Sequence, residues 1–209
     1  ATVMAWFAVA GLSIEAEGLV LATLSGTLLI VASNRPVGDW LVVEGLRASG
    51  LTAGVLLAVG DPTWFAIVLS VAAVVLVVIS VLSSTRPGYP YAALAAVAGS
   101  VSTWMAAADV STVEAYTTTW SAALLSMGWL LNRRSPAMSS WITYGPGIVV
   151  GLGSFTFSAI DDDDLTHAVI VVTGGLISVI LGATHRLQSP LLLGLTALAT
   201  IGIDAVAEI

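Results

Sequence analysis

The chain has 209 residues, 57% of them hydrophobic and 9% charged, and its mean hydropathy is +1.00. An ordinary soluble domain carries about 25% charged residues, so this composition cannot clothe a soluble globule of the same size. Six Arg, no Lys and thirteen acids give a net charge of −7 with no basic stripe for nucleic acid, and the lack of cysteine excludes disulfides, thiolate metal sites and cysteine nucleophiles.

What remains is an integral membrane protein of the all-α class. A spanning helix needs about 20 mostly apolar residues. In chain order, eight stretches qualify: residues 18–33, 38–60, 64–84, 90–108, 113–132, 137–160, 165–184 and 189–207. Residues 1–14 read as the last part of a further helix. With Ala1 in place of Met and no basic region ahead of an apolar core, they do not read as a signal peptide. The expectation is a piece of a longer chain, folded as one membrane domain over 1–209. A β-barrel would need strands alternating in and out over about ten residues. The unbroken run from Val71 to Ile79 does not alternate.

Charge sorts the loops onto two sides. Arg35, Arg86, Arg133, Arg134 and Arg186 fall in every second loop, with Arg47 just inside the helix that follows Arg35. Eleven of the thirteen acids, including Asp61, Asp109, Glu114, Asp161 to Asp164 and Asp204, fall on the other side. Short loops rich in Lys and Arg mark the cytoplasmic face. This predicts a multi-pass plasma-membrane protein, its Arg loops inside, its acidic loops and C-terminus outside. Trp40, Trp129, Trp141, Tyr89 and Tyr91 lie near the inner boundary as an interfacial belt. Trp104 and Trp120 lie deeper, where helix packing is the simplest use for them.

The inner loops also repeat. Arg35, Arg86, Arg134 and Arg186 are 51, 48 and 52 residues apart, and each is followed by Pro within four positions. The unit is a helical hairpin, repeated in parallel over 18–60, 64–108, 113–160 and 165–207. Arg at a helix C-terminus complements the macrodipole, and Pro fits the first turn of the next helix. Asp61, Ser135 and Ser189 are placed as N-caps, and Ser111 with Glu114 has the spacing of a capping box. Beyond capping, the four Arg can bind lipid head-group phosphates at the inner leaflet.

Ionisable groups inside the membrane are functional candidates by default, and here they are scarce. Asp39 and Glu44 lie near the inner boundary, where Glu44 can pair with Arg47. His167 and His185 fall on opposite faces and cannot share a metal. Asp161 to Asp164 read as a solvated loop that favours the positive end of the next helix, not as a shaped cation cage. No cofactor or metal site is expected, and no nucleophile, base and metal are set together as an enzyme would need. The most irregular backbone within a span is Tyr144-Gly145-Pro146-Gly147, where proline removes a backbone bond and predicts a kink or break. These four residues are the candidate ligand pocket. The competing use is close packing, since Gly147, Gly151, Ser154 and Ser158 make one small-residue stripe.

The stretch Asn132-Arg133-Arg134-Ser135-Pro136-Ala137, the Tyr144–Gly147 segment and His185-Arg186-Leu187-Gln188-Ser189-Pro190-Leu191 resemble the C-terminal part of large, multi-spanning hairpin-repeat membrane proteins of high-GC Gram-positive bacteria. The resemblance implies a plasma membrane and a longer parent chain, and no activity, since that family is uncharacterised. Two functional expectations stand. One is a non-catalytic membrane scaffold or accessory subunit, packed against other membrane chains or holding lipid. The other is a transporter or lipid-translocating permease core with its site at Tyr144–Gly147.

Overall fold

The structure is a computed structural model and describes residues 19–20, 22–23, 61–82, 88–161 and 165–207. Outside the described residues lie the part-helix at 1–14, the span at 38–60 and most of that at 18–33. So do Arg35, Arg86, Asp39, the Glu44–Arg47 pair and Asp162 to Asp164.

The described residues are all-helical, with no strand. The helices are α1 (Pro62–Leu82), α2 (Tyr89–Ala107), α3 (Val113–Arg134), α4 (Ser140–Thr143), α5 (Gly145–Asp161), α6 (Leu165–His185) and α7 (Gln188–Ala207). Among the described residues three helices are long and apolar enough to cross a membrane: residues 62–81 of α1, then α6 and α7. In α6 and α7 only 17% of the apolar window is buried inside the protein. Leu165, Phe157 and Ile203 are at least 70% exposed. So wide an apolar surface is unusual in water, and the fold is consistent with a membrane location.

The chain divides into two compact units, 1–110 and 111–209. In the first, α1 packs along α2. Asp61 caps α1 as its sequence position predicts, its side chain accepting from the backbone N–H groups of Thr63 (2.7 Å) and Trp64 (3.1 Å). Ala22 and Val68 are buried together under Leu19, Trp64 and Phe65. Midway along the pair, Ser70 donates to the Ala66 carbonyl and accepts from Trp104 Nε1 at 2.9 Å. Its single proton is then spent, so Ser100 is the donor in the 2.7 Å Ser70–Ser100 contact. Trp104 is thus a packing and hydrogen-bonding residue, 45% exposed.

In the second unit α3 packs on α5, α5 on α6 and α7, and α6 on α7. The helix expected over 137–160 is interrupted at Tyr144 and splits into the single turn α4 and the longer α5. The capping expectations fare less well here than at Asp61. The turn after α3 delays the next helix, so Ser139 rather than Ser135 caps α4, accepting from Trp141 N–H. Ser189 lies inside α7 and turns its hydroxyl to another helix. Thr112, not Ser111, precedes α3 and makes no side-chain cap, while Glu114 accepts instead from Ser158.

Candidate functional site

The break at Tyr144 shapes the Arg-bearing end of the second unit. Tyr144 ends α4 with φ −113° and ψ −24°. Its N–H still bonds to the Ser140 carbonyl at 2.9 Å, and its own carbonyl accepts from Ile148 N–H at 3.1 Å. Helical hydrogen bonding therefore carries on across the interruption at Tyr144. Pro146 sits two positions on, exposed, in the first turn of α5, where a missing N–H costs least.

Most of the small-residue stripe beyond the break is spent on α3. A Cβ at Gly147 would lie 2.7 Å from Leu125 Cγ, and one at Gly151 would lie 2.5 Å from Ser121 Oγ. Ser121, itself buried, donates to the Gly147 carbonyl at 2.7 Å. Thr117 donates to Ser154 at 2.8 Å, and Ser158 to Glu114. This seam of glycines and hydroxyls satisfies its polar atoms helix to helix, as a low-dielectric setting requires. Of the four residues expected to form a pocket, Gly145 and Gly147 are buried in packing, Gly145 between Trp141 and Ser189. Pro146 is exposed, and Tyr144 lines a cavity.

That cavity holds about 670 Å³. Its walls are the C-terminal parts of α3 and α6, with Leu125, Trp129, Asn132 and Arg133 on one side and Ile177, Ser178, Leu181 and His185 on the other. Tyr144 and Ile148 of the break, with Leu187 and Pro190 at the start of α7, complete it. Aliphatic and polar side chains share the lining, and Ile177 and Leu181 are 53% and 48% exposed. The Arg133 guanidinium carbon stands 3.8 Å from the centre of the Trp129 ring, a cation–π contact that orients the fork.

Of the four Arg expected at lipid phosphates, Arg134 and Arg186 are described, and both are exposed. Arg186 closes α6 with φ 56°. It is Arg133, not its neighbour, that joins Trp129 and His185 at the cavity. The signal for it was present in the sequence, since residues four apart share a helix face. Among the described residues no three His, Cys, Asp or Glu side chains are grouped to hold a metal ion.

A second, smaller groove of about 280 Å³ runs along α5 and α7 past Ile148, Leu152, Gly153, Phe157 and Thr200. Its threonine hydroxyls return to their own helix carbonyls, Thr156 to Leu152, Thr196 to Leu192 and Thr200 to Thr196. That leaves an apolar surface suited to hydrocarbon.

No family model matches the chain, and no curated protein or solved structure is similar to it at a significant level.

Proposed function

We propose that the chain is a non-catalytic scaffold or accessory subunit of a membrane assembly. The observation that carries this reading is the α3–α5 seam. The hydroxyls of Thr117, Ser121 and Ser158 are used up in bonds between the two helices. A permeation route would instead leave such groups lining a path, and here the backbone freed by the break is packed against α3.

The finer architecture is part of the same proposal. The chain spans the membrane eight times as four parallel hairpins, in the plasma membrane. Its Arg loops lie in the cytoplasm and its acidic loops and C-terminus outside. The bounds of α1, α2, α3, α6 and α7 fall within two residues of the expected spans, which supports the count over that part of the chain. Its partners are membrane lipids and other membrane chains, with no nucleic acid.

The permease reading draws on one observation, the cavity beside Tyr144. Against it, Leu125 and Gly147 fill the space behind that cavity. Purification of the native protein in mild detergent, followed by mass spectrometry and cryo-electron microscopy of the same sample, separates the two. Stoichiometric companion chains are expected. A chain that purifies alone and moves lipid across reconstituted vesicles would overturn the scaffold reading.

A further inference from the structure

We infer that the cavity between α3 and α6 binds one anionic membrane lipid, its phosphate held by Arg133 and His185 and the start of its tail against the aliphatic side chains. The inference rests on the membrane-embedded part of the reading above and not on the scaffold role.

The volume is the first argument. Small-molecule sites enclose about 300–1,000 Å³, and 670 Å³ is more than a free inorganic anion fills. The second is the mixed lining. Leu125, Ile148, Ile177 and Leu181 offer a phosphate nothing, yet they suit a hydrocarbon chain that enters below its head group.

Charge is the third argument. Arg133 and His185 have no carboxylate partner among the described residues. The described acids of this unit, Glu114, Asp161 and Asp204, lie at the far ends of their helices. Along α3 alone, Glu114 is roughly 28 Å from Arg133 at 1.5 Å per residue, well beyond ion-pair reach. The Arg133 guanidinium carbon lies 3.8 Å from the centre of the Trp129 ring, a contact that consumes no acceptor, and its fork of N–H donors suits a phosphate. His185 supplies a ring N–H from the other wall. The site's place at the Arg-bearing end of its helices puts it level with lipid head groups, where such contacts are made.

The test uses the full chain in vesicles whose lipid tails carry bromine, a short-range quencher of tryptophan. One set carries the bromine on phosphatidylglycerol and the other on phosphatidylcholine with the same tails. The chain has seven Trp, so the difference between the wild type and Trp129→Phe isolates the cavity signal. Brominated phosphatidylglycerol should quench that signal at lower mole fraction than brominated phosphatidylcholine. Arg133→Gln should cut the preference about five-fold, the factor one Arg supplies near an anionic head group. Arg133→Lys, which keeps the charge and loses the fork, should restore part of it. Arg133 is exposed, so these variants should keep the wild-type helix content, checked by circular dichroism.

Equal quenching by the two lipids, or an Arg133→Gln variant with unchanged preference, would overturn the site. Loss of the preference on adding inorganic phosphate would overturn the lipid as occupant and leave a free anion in its place. If no brominated lipid quenches any tryptophan and alkali extracts the chain from the vesicles, the membrane reading itself fails.

Discussion

The carbonyl oxygen of Thr143 lies against the Cα of Gly128, where a built Cβ would overlap it. Thr143 is the last residue before the break at Tyr144, and Gly128 faces it from the C-terminal part of α3. That carbonyl lies close against α3, and only glycine leaves room for it. Two effects oppose each other in Gly128→Ala. Helix propensity favours alanine by up to about 1 kcal/mol, while overpacking costs about 1–3 kcal/mol or more. Because the obstacle is backbone, sterics should win, and the variant should unfold about 2 kcal/mol more easily in mixed micelles. Gly153, with nothing within 4 Å of a built Cβ, is the matched control. Gly153→Ala should be neutral or stabilising by up to about 1 kcal/mol. The same sign for both variants would mean that the α3–α4 approach is not as close as described.

Ser140 and Ser189 make a second tie at the same end of the unit. Ser189 Oγ donates to the Ser140 carbonyl at 2.7 Å, and Ser140 Oγ accepts from Ser189 N–H at 3.2 Å. Ser189 is fully buried. Ser140→Ala leaves the Ser189 N–H without that partner, at a cost of about 1–3 kcal/mol. Ser189→Ala removes one donor to the Ser140 carbonyl, which keeps the Tyr144 N–H, and should cost about 0.5–1.5 kcal/mol. Each bond runs from one side chain to the other residue's backbone, so each variant leaves the other bond in place and the two losses should be close to additive. No loss of stability in either variant would mean that the pair does not hold the start of α7 to α4.

These two contacts mark the limit of what the sequence discloses. Helix bounds were legible wherever an apolar run meets a charged or capping residue, as at Asp61 and Leu165, because burial in hydrocarbon and backbone capping are local demands. The break near Pro146 was legible for the same reason, since proline's missing N–H belongs to its own residue. Which helix the stripe from Gly147 to Ser158 would meet was not, because that depends on how α3 and α5 come together. The site shifted accordingly: of the four residues at the break only Tyr144 lines the cavity, while Arg133, Trp129 and His185 come from helix ends more than 40 residues apart in sequence. The Ser189 cap failed because α7 begins at Gln188, one residue earlier, where the Ser189 N–H bonds to Ser140 Oγ on α4.

Arg186 carries a backbone strain that its sequence position hides. Its φ of 56° is the left-handed conformation, and Leu187 N–H reaches back to the Gly182 carbonyl at 2.8 Å, closing α6 in a Schellman turn. Glycine is the usual occupant of that position, and a branched-free but bulky side chain costs about 1–2 kcal/mol there. Arg186→Gly should therefore raise stability by about 1 kcal/mol, read as a higher unfolding midpoint in the same micelles. A lower midpoint would show that the Arg186 side chain contributes more than its backbone strain costs.

The topology gives a prediction that needs no stability measurement. The chain has no cysteine, so a single introduced one is an unambiguous reporter. Ser135, exposed in the turn after α3, follows Arg133 and Arg134, and Asp162 belongs to the acidic run that follows α5 in sequence. In the proposed orientation an impermeant thiol reagent labels Asp162→Cys on intact cells and Ser135→Cys only after the membrane is opened. The reverse pattern would invert the protein and place the Arg loops outside, against the charge rule. Labelling of both positions on intact cells would mean that α5 does not cross the bilayer. The hairpin over 113–160 would then fail as a unit of the repeat, and the count of eight spans with it.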